Sequence, residues 1–166
     1  VCVCVGVMMK WNSTFEIKVP ILDQQHKELF SILDNLNKSF QDGSSKESTI
    51  KTITFMSEYI KHHFRSEEEL MSVLGCPDLK LQQEMHRNFI QFFGKQITAL
   101  RSGKDINLFN LRDFITQWIG GHIVKEDVKI RHFIDKKRFD KAFIKELSDK
   151  QTRDILGSTI DQCRRV

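Results

Sequence analysis

The chain has 166 residues, of which 40% are hydrophobic and 29% charged, with eight glycines and two prolines. This length and apolar content suit one folded domain with a sizeable core and exclude an intrinsically disordered chain. Most of the net charge of +4 lies in residues 135–166, where nine Lys/Arg against six Asp/Glu leave +3; the rest is near neutral and carries no general nucleic-acid footprint.

The opening Val-Cys-Val-Cys-Val-Gly-Val stretch lacks the basic region of a signal peptide. It is also far shorter than the roughly 18 apolar residues that cross a membrane. With Met8 and Met9 adjacent, residues 1–8 read as an N-terminal extension upstream of a natural start. Cys2, Cys4, Cys76 and Cys163 follow neither zinc-ribbon nor secreted-scaffold spacing, so they read as reduced thiols of a cytoplasmic protein.

From Pro20, a favourable first-turn residue, Leu22, Leu29, Phe30, Leu33, Leu36 and Phe40 recur at helical spacing until Asp42-Gly43-Ser44. A second helix starts between Ser45 and Ser48, carries Ile50, Ile53, Met56, Ile60, Leu70, Met71 and Leu74, and stops at Gly75-Cys76-Pro77. Asp78 is placed to cap a third, with a stripe through Leu81, Met85, Phe89, Phe93, Ile97 and Leu100 that breaks at Arg101-Ser102-Gly103. A fourth runs from about Asn107 to Arg131 with Leu111, Ile115, Trp118 and Ile119 inward. Strand signals are weak throughout, and short turns between amphipathic helices predict an all-α, antiparallel up-down-up-down four-helix bundle. Beyond it, Phe139, Phe143 and Leu147, then Ile155, Leu156 and Ile160, predict a C-terminal helical tail over 134–166.

Polar residues share these apolar stripes. His26 lies on the first, His63 and Glu67 on the second, His86 on the third, and His122 follows the fourth. A buried imidazole or carboxylate costs a few kcal/mol unless partnered, and a pair of cations is one partner set that satisfies them all. His63 and Glu67, four residues apart, fall about 40° from each other on one helix face. His122 and Asp127, five apart, fall about 140° from each other, so both reach one site only where the helix widens into a π turn or the carboxylate bends back. Gly120-Gly121 just upstream permits such distortion. His62 is rotated about 100° from His63. It, Glu68, Glu69, Glu126 and His132 read as surface residues.

Trp11, Leu22-Asp23-Gln24-Gln25-His26, His63-Phe64, Glu67-Glu68-x-Leu70-Met71, Cys76-Pro77, His86 and Trp118-x-x-x-His122-Ile-x-Lys-Glu-Asp127 together resemble the bacterial hemerythrins over residues 9–133. The resemblance implies a non-haem centre of two iron ions that binds dioxygen reversibly, for storage, transport or sensing. It also implies that His26 and His63 hold one iron, His86 and His122 the other, and that Glu67 and Asp127 bridge them. Phe64 and Ile119 are placed to line a dry oxygen pocket, or to serve as plain core. The sequence departs from the family at Gln82, where the family has a histidine four residues before His86. Gln82 can ligate through its amide oxygen, leave the position to water, or weaken the second iron. That departure keeps two other functions open: a di-iron oxidase, peroxidase or nitric-oxide-handling enzyme, and a metal-poor interaction bundle. The basic tail reads either as a further helix packed on the bundle or solvated beside it, or as a protein-contact segment.

Overall fold

The computed structural model describes residues 10–43 and 45–150. Four long helices follow a single 3-10 turn at Ser13–Phe15: α1 (Pro20–Gln41), α2 (Lys46–Leu74), α3 (Leu79–Arg101) and α4 (Leu108–His122). A π-helical turn, Ile123–Asp127, continues α4 without a break into α5 (Val128–Lys137), and residues 141–150 form a further helix, α6. No strand occurs among the described residues. α1 packs on α2 and α4, and α2 on α3, giving the antiparallel bundle that the periodicity predicts.

Local chemistry sets the ends. Pro20 opens α1, Ser45 Oγ accepts from the Ser48 amide at 3.2 Å, and Asn107 Oδ1 accepts from Asn110 at 3.0 Å. Asp78 stands at the start of α3, yet its side chain makes no capping bond, contrary to the sequence expectation. Gly75 closes α2 at φ 70°, a left-handed conformation that a side chain with a Cβ resists.

The predicted stripes of α1 and α2 are buried except that Ile50 and Phe40 are half-buried. Each fully buried Leu or Ile contributes about 1.5–3 kcal/mol of transfer free energy. On α3 the stripe differs from expectation at two positions: Leu81 is 49% exposed and Met85 half-buried, while Gln82 faces inward beside His86, which is buried as expected. One position is a rotation of about 100°, and the inward line set by Phe89, Phe93 and Ile97 passes through 82 and 86. Trp118 is half-buried rather than fully inside. The fourth helix outlasts its expected end at Arg131, and the tail contributes Ile144 to the core while Phe143 stays exposed. The tail residues beyond 150, including Ile155, Leu156, Ile160 and Cys163, lie outside the described residues, as do Cys2 and Cys4. Cys76 is a buried free thiol whose pKa burial, with Asp78 nearby, pushes up to about 11.

Candidate metal centre

All four long helices contribute to one polar cluster inside the bundle. His26, Glu67 and Asp127 are 0% exposed, and His63, His86, His122 and Gln82 are also buried. Donor atoms of His26, His63, Glu67 and Asp127 lie within 4.8 Å of one another, and so do those of Glu67, His86 and His122. Glu67 belongs to both groups. Its Oε1 lies 3.1 Å from His63 Nε2 and 3.5 Å from His26 Nε2, while Oε2 lies 3.2 Å from His86 Nε2. Asp127 spans the cluster in the same way, with Oδ1 3.2 Å from His122 Nε2 and Oδ2 3.4 Å from His26 Nε2.

Asp127 reaches this position because residues 123–127 form a π turn. Closing the turn i→i+5 brings residues five apart towards one face, where an α-helix would set them about 140° apart. Of the two routes that the sequence spacing left open, a widened helix or a bent-back carboxylate, the structure takes the first, immediately after His122. π turns of this kind cluster at functional sites.

Outer hydrogen bonds orient the rings. Ser66 Oγ donates to the His62 carbonyl at 3.2 Å and accepts from Gln25 Nε2 at 3.0 Å, which turns Gln25 Oε1 towards His63 Nδ1 at 3.0 Å. An amide oxygen only accepts, so Nδ1 carries the proton and the neutral His63 ring presents the lone pair of Nε2 to the cluster. Glu68 Oε1 accepts from His86 Nδ1 at 2.9 Å and sets the same tautomer there. Glu68, at 28% side-chain exposure, is therefore half-buried and engaged, not the surface residue its position beside Glu67 predicts. His62 and Glu126 are also half-buried, the latter paired with Lys129, whereas Glu69 and His132 are exposed as predicted. Gln25 and Glu68 belong to the motifs that carry the resemblance, but the ring-orienting roles of Gln25, Ser66 and Glu68 are not legible in the sequence, because they depend on contacts between residues 18 to 41 positions apart.

The charge balance follows from these contacts. Burial opposes the charged form of His26, but the negative charges of Asp127 and Glu67, 3.4 and 3.5 Å from its Nε2, override it and raise its pKa to about 9. For His63 burial prevails over Glu67 and lowers the pKa. For His122 the nearby Asp127 overcomes burial and raises it. Burial resists ionisation of Glu67 too, yet His63, His26 and His86 together hold it well below the usual carboxylate range. Burial and Glu67 act in the same sense on Asp127, and His122 and His26 outweigh them.

A metal suits this arrangement on the protein's own terms. Both ring nitrogens of His26, Oε1 of Glu67 and Oδ2 of Asp127 are buried without a hydrogen-bond partner, and His86 Nε2 lies only 3.0 Å from His122 Nε2. Buried polar atoms left without partners in this way fit a site whose partners are cations. Imidazole and carboxylate are donors that suit iron, as they do zinc and manganese. Gln82 Nε2 sits 2.7 Å from Asp127 Oδ1, 2.9 Å from His122 Nε2 and 3.5 Å from Glu67 Oε2, so the amide occupies the His86/His122 half. Phe64 stacks on His86 with centroids 3.7 Å apart and planes within 2°, so it covers that same half; Ile119 is buried on α4.

The fold and this cluster define a helical-bundle protein with a two-lobed histidine–carboxylate interior able to hold metal ions. The profile of the hemerythrin HHE cation binding domain matches residues 18–131, and the chain belongs to the hemerythrin family. It is 27% identical over 120 residues to a bacteriohemerythrin of Stenotrophomonas maltophilia (strain R551-3), covering 72% of this chain and 77% of that one. A myohemerythrin of Theromyzon tessulatum is 28% identical over 122 residues, covering 74% and 90%. A crystal structure of wild-type hemerythrin superposes with a TM-score of 0.69 at 24% identity, covering 72% of this chain and 92% of that chain.

Proposed function

We propose that the protein binds dioxygen reversibly at a non-haem centre of two iron ions. His26 and His63 would hold one ion, and His86 and His122 the other, with Gln82 beside it. Glu67 and Asp127 would bridge the pair. When bound, the iron pair supplies the redox chemistry by which dioxygen is taken up and released. The observation that carries this reading is the orientation of the rings: Gln25 and Glu68 accept hydrogen bonds from the Nδ1–H groups of His63 and His86, which leaves each Nε2 lone pair facing Glu67. Each bridging carboxylate also turns one oxygen towards each half of the cluster.

The protein's own contribution is to exclude water and hold protons in place. Phe64, stacked on His86, would keep water from that half, and Ile119, buried on α4 three residues before His122, would add to the apolar lining, which would slow loss of electrons to solvent species. Anaerobic reconstitution with ferrous iron, metal quantitation, and optical spectra in air and after deoxygenation test the proposal. About two iron ions per chain and a visible band that appears and disappears with oxygen are expected. Fewer than about one iron per chain would reject the paired centre.

Gln82 favours a second reading, a di-iron oxidase, because an amide replaces an imidazole next to His122. An amide oxygen is the weaker donor and leaves that half more open to exchange. Sustained oxygen consumption with an added reductant would select this reading over reversible binding.

A further inference from the structure

Glycines in the left-handed region follow α1, α2 and α3: Gly43 at φ 67°, Gly75 at φ 70° and Gly103 at φ 81°. α5 ends in the same conformation at Arg138, with φ 56°. Lys18, at φ 59°, is the other non-glycine residue in that region among the described residues. A Cβ disfavours this geometry, and glycine would satisfy it more cheaply at both positions. Strain retained at a cationic side chain calls for a use of that side chain.

Both residues line one cleft of about 490 Å³ between the start of α1, α5 and α6, together with Arg131, Lys141 and Lys145. The one acid in its wall, Asp135, is taken by Arg131 at 2.7 Å, and Arg131 Nη1 also donates to the Lys18 carbonyl at 3.2 Å. Lys145 pairs with Asp149 at 2.6 Å. Lys18, Arg138 and Lys141 have no acidic partner among the described residues, so three uncommitted cations face one space. Buried Ile134 and Ile144 and half-buried Phe139 give it an apolar side.

We propose that this cleft binds a phosphate monoester on an aromatic body, the chemistry of a mononucleotide. Three free cations suit a dianion better than a single carboxylate, and a guanidinium fork matches phosphate oxygens in pairs. Phe139, itself packed beside Phe133 and Phe143, gives the cleft an aromatic wall for the aromatic body, and the volume lies within the range of small-molecule sites. The cleft shares no residue with the buried cluster, so a ligand can occupy it with or without metal.

Calorimetric titration of the full chain with adenosine 5′-monophosphate, phenyl phosphate, inorganic phosphate and laurate tests it. Both esters should bind saturably, with inorganic phosphate about tenfold weaker or more, since it lacks the apolar contact. Arg138→Gly should melt at or above the wild-type temperature, because it relieves the left-handed strain, yet bind adenosine 5′-monophosphate about tenfold more weakly. Lys141→Glu, on an exposed position of α6, should weaken binding as well. Three results would overturn the proposal: no saturable binding of either ester at about 1 mM, unchanged affinity in both variants, or laurate binding more tightly than the esters.

Discussion

Replacing Glu67 by glutamine preserves the volume of a side chain that is 0% exposed and removes only its charge. In the metal-free protein that charge is one of two holding a proton on His26, whose pKa is about 9. At pH 7 the two units separating those values correspond to about 2.7 kcal/mol, at 1.36 kcal/mol per unit. With one acid gone His26 can release its proton instead of remaining a poorly compensated buried cation, so this figure limits the His26 share of the loss. His63 and His86 turn Nε2 lone pairs, not donors, towards Glu67, so loss of its charge costs nothing at those contacts and the total is about 3 kcal/mol at most. For a chain of this size that lowers Tm by about 6–12 °C. The same change removes a carboxylate facing both lobes, so iron retained after anaerobic reconstitution should fall below about one ion per chain. His62→Ala, one position from a proposed ligand but rotated away from the cluster, should cost less than about 1 kcal/mol and leave iron content unchanged. Differential scanning calorimetry and metal analysis on both variants decide it. Equal iron content and Tm values within about 2 °C would show that the inward face of α2 is not the one described here.

Gln82→His, one helical turn from His86, should tighten retention of the ion in that half against a chelator by about tenfold or more; unchanged retention would mean that the amide already closes the position. In the metal-free protein His26 and His122, both raised, contribute stability that is complete below their unfolded values near 6.5 and fades as pH climbs, for His26 through about 9. Tm should therefore fall between about pH 6.5 and 9.5; His63, lowered by burial, acts on the acid side of this window, and a Tm that rises across it would refute the assignment. Removing residues 135–166 takes away buried Ile144 but no residue of the cluster, so stability should drop by about 1.5–3 kcal/mol while iron content holds. Loss of iron on that truncation would make the tail part of the site's support.

Much of the bundle is legible in the sequence because helix signals are local. Pro20, Ser45, Gly75 and Asn107 mark ends that the structure keeps, and the stripes of α1 and α2 follow from spacing alone. The spacing of His122 and Asp127 left a widened helix or a bent-back carboxylate as the ways to one site, and the structure has a π turn there. What the sequence could not decide were matters of rotation and of contact between helices. The sequence put His86 inward but left both 81/85 and 82/86 on its stripe, and packing against α2 and α4 chose the face that buries Gln82 and exposes Leu81. Glu67 and Glu68 look alike as neighbouring acids, but one ends at the centre of the cluster and the other holds His86 from outside. Gln25 orients His63 across 38 residues of chain, and Lys18 meets Arg131 across 113. Such pairings exist only once separate helices are packed, because hydrogen-bond reach is about 3 Å and no local propensity encodes which distant residue will lie within it.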